Sequence, residues 1–366
     1  MCRRCAACTR DCSRPRCSSR SRSRGRRERE RRRSRAVRCV GRGAARRGSR
    51  SGSRREPSPG AAAGPGGAVV TGTVIPEPED GHAIEEISVL GPRGRSIPVV
   101  LHSWPVESPR AVVHIAHGAG EHAGRYAALA ADLNAAGYAV TADDHLGHGR
   151  TGRAGDSYGR LGEGQNRTAL DALVQVVEEV RHRDQGLPLV LFGHSWGSLL
   201  AQQLLARRSR LLDALVLSGT TLAVPGYLNG GDLDGAFQPD SSGVQWLSRD
   251  PEVQAAFITD PLTFDIGADP VWNTLGKLQL LHLPPSSWSA RVDDVPVLVM
   301  GGSEDSIGFG ARGPRALARV YRRRTGLSDV THIVYEGARH EIVNETNRDE
   351  VVADLVHWLD TRFPRR

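Results

Sequence analysis

The chain reads as an α/β protein with a mostly parallel central sheet and helices on both faces. Short apolar runs at Ala111–Ala116, Tyr138–Ala142, Leu187–Phe192, Asp213–Ser218, Val295–Met300 and Val330–Tyr335 alternate with stretches of helical period, the order that repeated βαβ units produce. Several of these runs are apolar at successive positions, as strands covered on both faces are. Turns containing glycine follow most of them, at His117–Gly120, Asp144–Gly149, Gly193–Gly197 and Gly301–Asp305. In an open α/β sheet that edge is where ligands bind.

Charge divides the chain sharply. Residues 1–56 hold 22 Arg against 4 acidic residues, a net of +18, leaving 27 basic and 37 acidic groups in the other 310 residues, a net of −10. The overall +8 therefore describes a tail. The body is mildly acidic, which argues against a nucleic-acid partner for it. All six cysteines (Cys2, Cys5, Cys8, Cys12, Cys17 and Cys39) lie in the tail, so the body is expected to rest on an ordinary apolar core without disulfides or thiolate-bound metal.

Residues 1–80 form the expected tail, Arg/Ser/Cys-rich and then Pro/Gly-rich, with too little apolar surface to offset the entropy of ordering. Three readings apply to it. One is a basic arm for nucleic acid or anionic lipid. Another is an iron–sulfur site on Cys2, Cys5, Cys8 and Cys12, which lacks the proline that follows such a run and a folded frame around it. The favoured one follows from 48 Arg against a single Lys, Lys277. That bias suggests GC-rich coding, in which an upstream frame stays open. It places the natural start near Val69 or Val70, and a natural peptide from before Ala61 would contradict it.

The folded body is expected over residues 81–366. Ala83–Leu90 and Ser96–Ser103 read as a hairpin around Gly91-Pro-Arg-Gly94. Tyr126–Ala136 reads as a helix, a Gly- and Arg-rich loop follows the next strand, and Asn166–Arg183 is amphipathic. After the sixth strand the pattern breaks, and a proline-interrupted segment over about 220–290, with short helical pieces such as Pro251–Phe257, reads as a cap over the sheet edge. The regular pattern then resumes, with helices at Gly313–Arg322 and Thr346–Phe363. No apolar run is long enough to span a bilayer and no secretory signal opens the chain. The expected location is the cytoplasm.

The strand Leu187–Phe192, the turn Gly193-His-Ser-Trp-Gly197 and the apolar helix after it have the context of a nucleophile elbow. A serine at the apex takes a strained conformation, and glycines two residues either side remove Cβ atoms that would clash. Its hydroxyl then stands at a helix N-terminus, where free N–H groups favour developing negative charge. Such a serine needs a histidine to take its proton and a carboxylate to orient that histidine. The order Ser, acid, His with each member after a strand points to Ser195, to Asp305 with Glu304 as a competitor for the acid, and to His340. Rival histidines are His117, His122, His145, His148, His194 and His282. The rival acid Asp294 precedes its strand and so lies at the wrong end. Oxyanion donors are expected from the amides of Trp196 and of Ala119, in the loop His117-Gly-Ala-Gly120. His117 reads as a loop brace, as does Asp144-His-Leu-Gly-His-Gly149, whose histidines lack the thiolate or helix that would gather a metal. No metal or cofactor is expected.

His117-Gly-Ala-Gly-Glu-His-Ala-Gly-Arg-Tyr126, Asp144-His-Leu-Gly-His-Gly149, Gly193-His-Ser-Trp-Gly197 and Tyr335-Glu-Gly-Ala-Arg-His340 together resemble the monoglyceride lipase and lysophospholipase branch of the serine-aminopeptidase-like α/β-hydrolases. Ser248–Phe257, continuing to Asp260-Pro-Leu262, resembles the cap of that branch. The resemblance covers about residues 83–363. It implies the α/β-hydrolase fold and maps Ser195, Asp305 and His340 to the triad, with Ala119 and Trp196 at the oxyanion hole. It also sets aside Glu304, one residue too early for the acid. Trp196 stands where the family often has Met; Trp196-Gly-Ser198 is similar to proline iminopeptidases, whose Gly-Gly-Pro-Gly oxyanion loop His117–Gly120 does not match.

The expected activity is hydrolysis of lipid carboxylic esters, monoacylglycerol or lysophospholipid, through an acyl-enzyme. Two alternatives stand beside it: an aminopeptidase or amidase of the proline iminopeptidase type, and a non-catalytic binding protein on the same fold. The expected partner is a small acyl ester, with transient contact between the cap and a membrane surface. Candidate acyl contacts in the cap are Leu222, Val224, Tyr227, Leu228, Phe237, Trp246, Phe257, Phe264, Trp272 and Leu280.

Overall fold

The computed structural model describes residues 73–75, 81–238, 242–268, 271–289 and 291–365. The readings of the Arg- and Cys-rich tail fall on residues outside these. The strands are β1 Thr73–Ile75, β2 Ala83–Leu90, β3 Ser96–Trp104, β4 Val112–Ala116, β5 Ala139–Asp143, β6 Leu189–His194, β7 Ala214–Ser218, β8 Val297–Gly302 and β9 Val330–Tyr335. They form one sheet in the order β1-β2-β3-β5-β4-β6-β7-β8-β9. The hairpin β2–β3 is antiparallel and joins β5 antiparallel; from β5 to β9 all neighbours are parallel.

Both faces of the sheet are covered, which explains the unbroken apolar runs. Along β6, Leu189 and Leu191 pack on one side while Val190 and Phe192 pack on the other. The first side receives α3 Asn166–Arg183, α4 Ser195–Arg208 and α7 Arg312–Val320. The second receives α1 Ala127–Ala135 and α8 Arg348–Asp360. Phe192 is fully buried, and its truncation to Ala is expected to cost roughly 3–5 kcal/mol.

Two elements differ from expectation. Thr73–Ile75, inside the stretch expected to carry no structure, pairs antiparallel with β2 as an edge strand. The Gly- and Arg-rich loop after β5 contains a short helix, α2 Gly149–Ala154, whose Thr151 Oγ1 accepts the amide of Val100 at 2.8 Å. Between β7 and β8, where short helical pieces are expected, lie α5 Pro251–Thr259 and α6 Thr274–Leu280. Asp250 caps α5 by accepting the amide of Glu252 at 2.8 Å, and Asn273 caps α6 by accepting that of Gly276 at 2.9 Å. Side-chain caps of this kind satisfy the free donors of a first turn.

Candidate active site

Strand β6 delivers Ser195 to the start of α4 with a left-handed backbone, φ +51°. A non-glycine residue held there costs on the order of 1–3 kcal/mol and persists only where its surroundings enforce it. The enforcement is visible in the flanking glycines. A Cβ on Gly197 would stand 2.1 Å from the carbonyl oxygen of Ala116, and one on Gly193 would stand 2.8 Å from the carbonyl oxygen of Gly197. Strand β4 and the residue after it therefore press against the turn at Gly197, and the start of α4 closes on Gly193, so each glycine is required by a different neighbour.

Asp305 lies just past β8 and His340 just past β9. The His340 Nδ1 and Asp305 Oδ1 atoms are 2.9 Å apart, both side chains fully buried. Asp305 Oδ1 also accepts the amide of Ile307 at 2.9 Å. A carboxylate has no proton to give, so Nδ1 carries the hydrogen and leaves Nε2 as the basic atom. Nε2 is buried with no hydrogen-bond partner among the described residues, and His340 lines the same small cavity as Ser195. Burial pushes the imidazole pKa down, but the charge and hydrogen bond of Asp305, aided by Glu341 and Glu121, outweigh it and raise the pKa above its ordinary value. The rival acids Glu304 and Asp294 are exposed. His194 sits 4.8 Å from His340 ring to ring; burial and the neighbouring imidazole push its pKa down to about 3, so it stays neutral.

The loop after β4 brings Ala119 beside Ser195, and both line the small cavity and a larger one. His117 braces this loop: its Nδ1 lies 2.6 Å from the Gly118 carbonyl, and its Nε2 accepts the amide of His145 at 2.9 Å. Asp144 ties together the turns after β4 and β5, accepting the amides of Ala123 at 2.9 Å and Arg150 at 2.7 Å. No group of three or more His, Cys, Asp or Glu among the described residues is arranged to hold a metal ion.

A second set of buried groups, which no sequence motif assigns to the site, lies beside it. Arg125 donates to both carboxylate oxygens of Glu341, at 2.7 and 2.8 Å, and to Glu121 at 2.8 Å. Glu121 in turn accepts from the amide of Gly118 and from the Tyr126 hydroxyl. Burial raises both carboxyl pKa values. The two-point contact with Arg125 overcomes this for Glu341, which falls to about 2. Glu121 has a single contact with Arg125 and faces the Glu341 charge, so it stays raised. The cluster links the Ala119 loop to the residue next to His340.

The segment between β7 and β8 covers the serine. Its Trp246 carbonyl accepts the amide of His340 at 3.3 Å, and the Leu247 carbonyl accepts that of Glu341 at 2.7 Å. The small cavity, about 20 Å³, is lined by Ser195, His194, His340 and Ala119 together with Trp246 and Phe257. The larger one, about 760 Å³, runs from Ser195 past Trp196 and Leu199 to Leu228, Trp272 and Leu280. Of the expected acyl contacts, Leu228, Trp246, Trp272 and Leu280 line the larger cavity, and Phe257 and Phe264 the smaller. Leu222, Val224, Tyr227 and Phe237 line neither; Leu222 is buried in the main core, with Val224 and Tyr227 packed against it. Leu199, Ile266 and Ile307 line the larger cavity without having been expected there.

The pattern of the serine aminopeptidase family, S33, matches residues 107–347. The monoacylglycerol lipase of Mycolicibacterium smegmatis is 32% identical over 280 residues, 71% of this chain and 92% of that protein. Human monoglyceride lipase is 30% identical over 281 residues, 72% of this chain and 85% of that protein. Among solved structures, a thermostable carboxyl esterase from Bacillus coagulans in complex with glycerol superposes with a TM-score of 0.65 at 27% identity, covering 76% of this chain and 99% of its own.

Proposed function

We propose that this chain, which belongs to the serine aminopeptidase family S33 and has its α/β-hydrolase fold, hydrolyses lipid carboxylic esters, monoacylglycerol or lysophospholipid, through an acyl-enzyme on Ser195. The observation that carries this reading is the convergence on one small cavity of Ser195, at φ +51°, and His340, whose Nε2 has no partner among the described residues. The relatives named monoacylglycerol and monoglyceride lipases support the substrate class. So does a cavity of about 760 Å³ opening from the serine, well within the range that encloses small ligands.

The reaction follows from the atoms present. His340 Nε2 takes the Ser195 hydroxyl proton as Oγ bonds to the acyl carbon. The oxyanion that forms is held by the amides of Ala119 and Trp196, the latter a first-turn donor of α4. Collapse of the intermediate breaks the ester bond, and the alcohol leaves with the proton from Nε2. A water molecule then repeats the sequence on the acyl-enzyme and frees the acid. Asp305 holds the Nδ1–H tautomer and stabilises the imidazolium between steps.

Contact with a lipid surface belongs to the same reading. Leu275, Leu278 and Leu281 of the covering segment are exposed, and Leu281 and Lys277 also line the larger cavity. The exposed leucines beside the cavity are what support access to substrate at a lipid surface through this patch; no helix among the described residues is long and apolar enough to cross a membrane.

Rates on monoacylglycerol, lysophospholipid, p-nitrophenyl esters and prolyl-anilide test the assignment. The expected order places monoacylglycerol first and prolyl-anilide last. Turnover of the anilide with inert esters would overturn it in favour of an aminopeptidase.

A further inference from the structure

Asn166 is the first residue of α3 and is almost fully buried. Its Oδ1 accepts the indole N–H of Trp196 at 2.7 Å and that of Trp272 at 3.3 Å. Indoles only donate, so the amide orientation is fixed: Oδ1 faces both rings, and Nδ2 is left buried without a partner. One acceptor thus joins two residues 76 positions apart in sequence, one beside the nucleophile and one in the covering segment. The rings meet edge to face, centroids 5.8 Å apart at 74°, and both line the larger cavity next to Ser195.

The flanking residues hold the same junction. Gln165, itself at φ +53°, accepts the amide of Asn273 at 3.1 Å. The Arg167 amide donates to Gln279 at 3.1 Å. Three consecutive residues therefore fasten α6 and its leading turn to the start of α3.

We infer that Asn166 is a specificity-determining residue: by pinning Trp196 and Trp272 to one oxygen it sets the width of the acyl cavity beside Ser195, and so the acyl groups admitted. The inference rests on the proposed ester hydrolysis for its meaning, but the geometry can be tested without turnover. Losing the acceptor leaves the N–H of the buried Trp196 and that of the half-buried Trp272 without their shared partner, and frees Trp272 to turn away from Trp196. The wall then opens toward longer and bulkier chains.

The test uses the full chain carrying Ser195→Ala, so that nothing turns over, and measures Kd for saturated fatty acids of about 6 to 16 carbons. Adding Asn166→Leu should shift the ratio of long-chain to short-chain affinity about tenfold or more toward long chains, the range one or two methylenes give in an apolar pocket. Asn166→Asp keeps the acceptor and should hold the parent ratio, which a merely structural role would not distinguish. An unchanged ratio in a folded Asn166→Leu protein overturns the inference, as does failure of the parent to bind any chain. Ester hydrolysis by the unmutated protein is read separately. Its absence would refute the proposed function while leaving the binding ratios to decide on Asn166.

Discussion

The guanidinium of Arg125 meets the carboxylate of Glu341 end to end, with contacts of 2.7 and 2.8 Å in a site nearly closed to solvent. Arg125 follows the loop that carries Ala119, and Glu341 follows His340, so the pair ties that loop to the turn after β9. Arg125→Met removes the cation and leaves Glu341 and Glu121 buried with no counter-charge. Breaking a buried pair in this way costs roughly 3–5 kcal/mol. Urea unfolding should report a loss of that size, with Arg125→Lys recovering only part because an ammonium cannot make the two-point contact. A loss below about 1 kcal/mol would contradict the account.

Asp305 is expected to act through His340. Asp305→Asn keeps the shape but offers the wrong hydrogen-bonding group to Nδ1, and in a serine–histidine–aspartate site that change lowers kcat by about 10⁴-fold. KM should change far less, because the acid touches no substrate. A loss confined to KM would argue that Asp305 only supports the loop.

The same contact sets the pH dependence. The base must be neutral to act, so kcat/KM should rise through the His340 pKa, which lies above the ordinary 6.5. In Asp305→Asn the residual activity should show this limb at lower pH, because burial then dominates. Stability runs the other way. With a pKa raised on folding, protonated His340 contributes stability that is complete below about 6.5 and lost as pH rises through the folded value. A kcat/KM limb at or below pH 6.5 in the unmutated protein, or one that does not move in Asp305→Asn, would contradict this assignment.

Strain at the elbow gives a prediction on stability alone. Ser195→Gly and Ser195→Ala both remove the hydroxyl, but only glycine adopts φ +51° freely. Calorimetry should find the glycine variant more stable than the alanine variant by about 1 kcal/mol, with both inactive. The reverse order would show that the turn is unstrained.

What could be read from the sequence was the part enforced locally. The Gly193-x-Ser195-x-Gly197 spacing forms a short local motif that can be read on its own, although only Gly193 is required by the turn and the helix after it, while Gly197 is required by strand β4. Asp305 and His340 were legible through order along the chain, each after its strand. Strand β8 was read as ending at Met300, yet it runs to Gly302. Glycine looked like a terminator, but the position needs one: a Cβ on Gly302 would stand 2.0 Å from the Ala338 carbonyl oxygen. Strand β1 escaped because three residues in a Pro-, Gly- and Ala-rich stretch carry no periodic signal and gain their pairing from β2. The junctions at Asn166 and at Arg125 were invisible for a different reason. Each joins residues far apart in sequence, and no local pattern marks an asparagine that will accept from two indoles.

The central claim is that Ser195 is the nucleophile, and covalent trapping tests it most directly. The unmutated protein, treated with a fluorophosphonate probe, digested and mapped by mass spectrometry, should carry one adduct, on the peptide containing Ser195. The Ser195→Ala protein should carry none. An unlabelled wild type, or an undiminished adduct in Ser195→Ala, would contradict the account.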